Sequence, residues 1–70
     1  MALPEVRIIS IETTKWKDKI LAYITYYSQS DSPHMCMMSS FVTPKVHAKL
    51  RTGMTFTTYQ EFEDFLNAKT

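Results

Sequence analysis

The chain has a single glycine and a single cysteine, and each scarcity excludes a class of protein. Phosphate-cradling loops and dinucleotide-binding turns need several glycines, because a side chain would keep the backbone away from the phosphate oxygens. One cysteine cannot form an internal disulfide, so the sequence is not that of a disulfide-stapled scaffold. A reducing compartment is the simpler interpretation, and we expect a cytoplasmic protein that binds no cofactor.

Long apolar runs and an excess of charge are also missing. No apolar stretch approaches the ~20 residues that a membrane-spanning helix needs, and no signal-peptide pattern opens the sequence. Eight Lys and Arg side chains against seven Asp and Glu leave a formal charge of +1. This balance does not indicate an overall phosphate-binding surface, and we expect no association with membranes.

Nothing in the sequence has the spacing of a catalytic or metal site. No nucleophile stands in a recognisable local context, so we expect no catalytic residues and no enzymatic activity. The sulfur and imidazole donors His34, Cys36 and His47 lack the C-x-x-C or H-x-x-x-H spacing of a zinc site, and we expect no bound metal. Three methionines around Cys36 are more typical of an irregular core or an adaptable binding surface.

The 70 residues predict one small domain, residues 1–70, with 44% hydrophobic side chains available for a core. Its organising segment is residues 19–27, KILAYITYY, whose β-branched and aromatic residues favour an extended chain. Both alternating faces of this strand are apolar, as in a central strand covered on two sides. One face carries Ile20, Ala22, Ile24 and Tyr26, and the other carries Leu21, Tyr23 and Tyr27.

The remaining segments predict an α+β fold, a small antiparallel sheet of three to four strands with a C-terminal helix packed on one face. Strands are expected at residues 6–13 and 35–43, a short extended piece at 54–57, and loops at 14–18 and 28–34. Residues 58–67 predict the helix, because Thr58 and Glu61 form the T-x-x-E capping box before an aromatic stripe. The inward face of the first strand stays ambiguous, since Ile8 and Ile9 point to opposite sides.

Residues 44–52 fit two structures equally well. A helix would have Thr43 as N-cap, Pro44 in its first turn and Gly53 as its C-cap residue. A strand would place four potential cations on one side, either as a protected sheet edge or as a nucleic-acid contact. Those four residues, with Trp16 stacking on bases, are the candidate site of an alternative function as a small nucleic-acid-binding protein: Lys45, His47, Lys49 and Arg51.

A single helix can cover only one face of the sheet, so the second face of the central strand lacks a cover within this chain. We therefore expect a non-catalytic module that binds another protein or a copy of itself, with a homodimer as the expected oligomer. Regulators and inhibitors encoded by phages or mobile elements often have such dimensions. The candidate partner-binding residues are Trp16, Tyr23, Tyr27 and Met37.

Overall fold

The computed structural model of the protein describes residues 3–29 and 33–68. Within them lies a four-stranded antiparallel sheet with strand order β3-β2-β1-β4. The elements, in chain order, are β1 (Val6–Trp16), β2 (Lys19–Ser28), β3 (His34–Val42), α1 (Pro44–Lys49), β4 (Thr55–Phe56) and α2 (Tyr59–Leu66). The predicted α+β class, a small antiparallel sheet with a C-terminal helix, is confirmed.

The first two strands form a hairpin that is longer than predicted. The expected loop at residues 14–18 is wrong, because β1 continues to Trp16 and only Lys17 and Asp18 form the turn, with Lys17 at φ 57°. Residues 12–19 are exposed on both faces of the hairpin. The β1 half of this stretch is exposed on both faces, so its charged side chains do not interrupt the strand, whereas its β2 partners Ile20 and Ala22 remain in the core.

A bulge resolves the ambiguous inward face of β1. The pairing with β2 skips one residue between Ile8 and Ser10, so Ile9 is the extra residue and the side-chain alternation shifts there. Val6 and Ile8 before the bulge are buried, and Ile11 after it packs partly against the same core. The two consecutive isoleucines, Ile8 and Ile9, do not fit a period-2 alternation because the register shifts at this position.

The core lies on one side of the sheet, where both helices pack. The alternation predicted for β2 is confirmed on this side, and its even-numbered residues are buried. The apolar core consists of Val6, Ile8, Ile20, Ala22, Ile24, Tyr26, Val42, Val46, Leu50, Phe62 and Leu66.

Residues 44–49 form a helix, which decides between the two predicted structures. The Val46 backbone N–H donates to the Thr43 Oγ1 at 3.2 Å, and Pro44 occupies the first turn. The helix ends at Lys49 with Leu50 as C-cap, so the predicted C-cap role of Gly53 is wrong. Gly53 instead adopts φ +88° in the following turn, where its N–H donates to the Ile8 carbonyl oxygen at 2.8 Å.

The C-terminal helix α2 begins with the predicted cap. The Glu61 N–H donates to the Thr58 Oγ1 at 3.2 Å, and the Glu61 Oε2 accepts from the Thr57 N–H at 3.1 Å. The helix buries Phe62 completely, and the Phe62 ring centroid lies 5.2 Å from that of Tyr26 and 5.3 Å from that of Phe56. This aromatic contact holds α2 on the inner face of the sheet.

The Tyr26 hydroxyl group belongs to this packed side. Burial raises the pKa of Tyr26 well above its usual value near 10, and the adjacent Tyr59 and Cys36 raise this pKa further. Tyr26 therefore stays protonated at neutral pH. Cys36 pairs with Tyr26 across β2 and β3, so the cysteine lies on the inner side of the sheet.

Candidate protein-binding face

The side of the sheet opposite the helices carries seven apolar or aromatic residues, with Thr25 and Ser39 between them. The register of β2 with β3 places Leu21 beside Phe41 and Tyr27 beside Met35, and it places Thr25 beside Met37. The register of β1 with β2 adds the end of the hairpin, where Trp16 pairs with Lys19. We call this set the outer face: Trp16, Leu21, Tyr23, Tyr27, Met35, Met37 and Phe41.

Most of the outer face is open to solvent. Met37 is 80% exposed, Trp16 is 66% exposed and Phe41 is 63% exposed, while Met35 and Tyr23 are about half exposed. The buried residues of α1 and α2 all belong to the core on the other side of the sheet. Within residues 3–29 and 33–68, no element covers the outer face.

Charged side chains border this apolar surface. Arg7 and Glu12 pair with Tyr27 and Tyr23 across the hairpin, which places them on the same side of the sheet along β1. The Lys19 Nζ lies 5.7 Å from the ring centroid of Phe41. An apolar centre with charged residues at its margin is the usual composition of a protein–protein interface.

All four predicted partner-binding residues lie on the outer face, with Trp16 and Tyr27 at its opposite ends. Tyr23 and Met37 lie near its middle, and Trp16 lies at its end, where the Lys17 Nζ stands 4.6 Å from the indole centroid. Tyr27 is half-buried beside Met35.

The predicted partner-binding set lacks three residues of the outer face: Leu21, Met35 and Phe41. Met35 and Phe41 are both more than half exposed, Phe41 at 63%. Their alternation with Met37 along the predicted strand gave the signal, because residues two apart share a face.

The four residues of the alternative nucleic-acid site do not share a face. Positions two apart on a helix are rotated by about 200°, so His47 points away from Lys45 and Lys49. Arg51 follows the helix, and its Nη1 donates to the Ala48 carbonyl at 2.8 Å and to the Leu50 carbonyl at 3.0 Å. Its guanidinium group thus caps the end of α1.

The described residues also include one cleft of about 390 Å³ between the hairpin and the end of α2. Its charged lining residues are Asp18 and Lys19 alone, and the Thr43 hydroxyl at its wall already caps α1. Across residues 3–29 and 33–68, no three His, Cys, Asp or Glu side chains converge as metal ligands. The outer face is therefore the most distinctive surface of the described chain.

In the part of the chain that the structure describes, no helix is long and apolar enough to cross a lipid bilayer. No protein-family model, curated protein sequence or solved structure gives a significant match to the chain.

Proposed function

We propose that this protein is a small non-catalytic binding module that attaches to another protein through its outer face. The observation that carries the proposal is the exposure of the outer face itself. Monomeric soluble proteins rarely expose a contiguous apolar patch of more than a few hundred Å², and larger patches with a polar margin mark interaction sites. Here tryptophan, tyrosine, methionine and phenylalanine side chains line one side of the sheet.

The chemistry of these side chains supports a protein as the partner. Tyrosine, tryptophan, phenylalanine and methionine are enriched at the centres of protein interfaces. Burying one large apolar side chain contributes about 1.5–3 kcal/mol, so a few such residues supply a large share of a binding free energy. Methionine side chains such as Met37 adapt to the shape of a partner because they are unbranched and flexible.

The pairing of the strands also favours binding. Tyr23 and Tyr27 belong to the central strand β2, which is paired on both sides by β1 and β3. A platform that is ordered before binding loses little conformational entropy when the complex forms. We infer that the protein acts by occupying a surface of its partner, as a regulator or an inhibitor does.

Capture from a lysate of the source cells tests this proposal with two matched double variants. The wild type is expected to retain one stoichiometric protein with and without nuclease, because the contact is between proteins. Tyr23→Ser/Tyr27→Ser should lose this protein, since both changes remove aromatic area from the outer face. Lys45→Gln/Lys49→Gln, which changes α1 on the other side of the sheet, should retain it. Mass spectrometry measures the captured proteins, and circular dichroism checks that each variant is folded.

Three outcomes oppose the proposal. Equal capture by the Tyr23→Ser/Tyr27→Ser variant would exclude the outer face as the contact. Recovery of nucleic acid, abolished by Lys45→Gln/Lys49→Gln, would support the alternative function in nucleic-acid binding. Unfolding of the tyrosine double variant would show that these residues stabilise the monomer, contrary to an open binding face.

A further inference from the structure

The strand β3 forms one edge of the sheet, and the hydrogen bonds of the hairpin show which of its backbone groups point outward. The Gln29 N–H donates to the Glu5 carbonyl at 2.8 Å, and the Ile8 N–H points away from β2 to the Met54 carbonyl at 2.9 Å. Because antiparallel pairs alternate, Tyr27 directs its backbone groups to β1, and Tyr26 directs its groups to β3.

The same alternation continues across the next pair of strands. Cys36 pairs with Tyr26, and Met38 pairs with Ile24, so both direct their backbone groups back to β2. The residues between and beyond them direct their N–H and C=O groups to the open edge of the sheet: Met35, Met37, Ser39 and Phe41. In agreement, the Phe41 carbonyl accepts from the Ser40 Oγ at 3.3 Å and keeps one lone pair for a second donor.

A second free edge in the same sheet has protection that β3 lacks. Beyond the two residues paired with β4, no strand among residues 3–29 and 33–68 pairs with the edge of β1 that faces away from β2, and this free part begins at the bulge near Ile9. It also carries Glu12 and Lys15. Bulges and charged side chains are the usual devices that stop an edge from pairing with another chain. Strand β3 spans nine residues, HMCMMSSFV, without Asp, Glu, Lys, Arg or Pro.

We propose that β3 pairs antiparallel with the β3 of a second copy of the chain, about a two-fold axis at Met38. In this register Met35 faces Phe41 of the copy, and Met37 faces Ser39 of the copy. Each of the four outward residues then exchanges an N–H and a C=O with its counterpart, so all eight outward groups of each copy are paired. The two sheets become one sheet of eight strands.

Three observations favour a copy of this chain over a different strand. One symmetric register satisfies every outward group of β3. No like charges meet at the axis, because β3 contains no Asp, Glu, Lys or Arg. The pairing also stops at two copies, since β4 at the opposite edge has only two residues and the free part of β1 is charged. This inference is independent of the function proposed for the outer face.

Sedimentation velocity with matched variants at one position tests the pairing. The wild type and Met37→Ala, which keeps the outward N–H, should sediment as dimers of the 8.2 kDa chain. Met37→Pro removes that N–H but no bond to β2, so the monomer should fold while the dimer weakens by at least about tenfold. Ser39→Pro repeats the test at the paired position. Circular dichroism reports folding of each variant.

Amide hydrogen exchange in the wild type gives a second readout that does not depend on proline. The Met37 and Ser39 amides should be protected at high concentration, whereas the Thr13 amide, which points outward at the free part of β1, should exchange fast. A monomeric wild type, a dimer unchanged by both proline variants, or Met37 exchange as fast as Thr13 exchange would overturn the pairing. Loss of the dimer in Met37→Ala as well would place the contact on the side chains instead. The function proposed above is tested separately by the capture experiment, so a failure of the β3 pairing would leave it unaffected.

Discussion

The Phe62→Ala variant is expected to lose a large share of its free energy of unfolding at 25 °C. Phe62 is completely buried, and its ring contacts Tyr26 and Phe56 at centroid distances of 5.2 Å and 5.3 Å. Truncating a buried phenylalanine typically lowers the free energy of unfolding by about 3–5 kcal/mol. The free energy of unfolding of a domain is roughly 0.05–0.15 kcal/mol per residue, which gives about 3.5–10 kcal/mol for a domain of this size. Urea titration followed by circular dichroism measures the loss.

The same substitution on the other side of the sheet is the matched control. Phe41 is 63% exposed on the outer face, and its ring contact is the Lys19 ammonium group 5.7 Å away. Phe41→Ala should therefore lower the free energy of unfolding by about 1 kcal/mol or less. Comparable losses in the two variants would contradict the assignment of one packed face and one open face.

The second large effect is expected from a charge at the centre of the outer face. Tyr23→Glu should weaken binding to the captured partner by at least about a hundredfold, because the complex would bury a carboxylate that has no counter-charge. The free protein should lose only about 1–2 kcal/mol of stability, because Tyr23 is 46% exposed, although the new carboxylate stands opposite Glu12. Isothermal titration calorimetry gives the dissociation constant, and urea titration gives the stability.

Thr13→Glu provides the control for added charge. Thr13 lies on the same hairpin, is exposed, and pairs with the buried Ala22, which places it on the inner side of the sheet beyond the core. The same charge there should change the dissociation constant by less than about threefold. If Thr13→Glu weakened binding as much as Tyr23→Glu, net charge alone would explain the effect.

Much of the fold follows from local pattern. The alternation of residues 19–27 predicts the two faces of β2, and the T-x-x-E motif predicts the start of α2 at its observed cap. These features succeed because burial and capping act over a few neighbouring residues. The open second face was expected from a single C-terminal helix; the structure has a second helix, α1, and the face stays open because α1 packs on the same side as α2.

Other features depend on partners that are distant in sequence. The bulge at Ile9 exists only in the register between β1 and β2. The choice of helix for α1 depends on burying Val46 and Leu50 against the sheet, which local pattern leaves balanced against a strand. The Gly53 N–H donates a hydrogen bond to the Ile8 carbonyl, and no sequence pattern near the glycine predicts this bond.

Part of the candidate site was predicted from the sequence, and the part that was missed depends on distant segments of the chain. Tyr23, Tyr27 and Met37 follow from alternation on strands whose faces are apparent in the sequence. Phe41 was missed because membership of the outer face depends on which side the helices cover, and this is a property of the whole fold. Polar residues around Trp16 suggested a loop, whereas pairing with Lys19 extends the hairpin to that point.

The central claim is that the outer face binds a protein, and site-specific photocrosslinking tests it most directly. A photoreactive phenylalanine analogue would be introduced at position 23, at position 13 or at position 49 and irradiated in the source cells. Only position 23 lies on the outer face; position 13 lies on the inner side of the hairpin and position 49 on α1. We predict one protein adduct from position 23 and none from the other two. An adduct from position 13 alone, or a nucleic-acid adduct from position 49, would contradict the account.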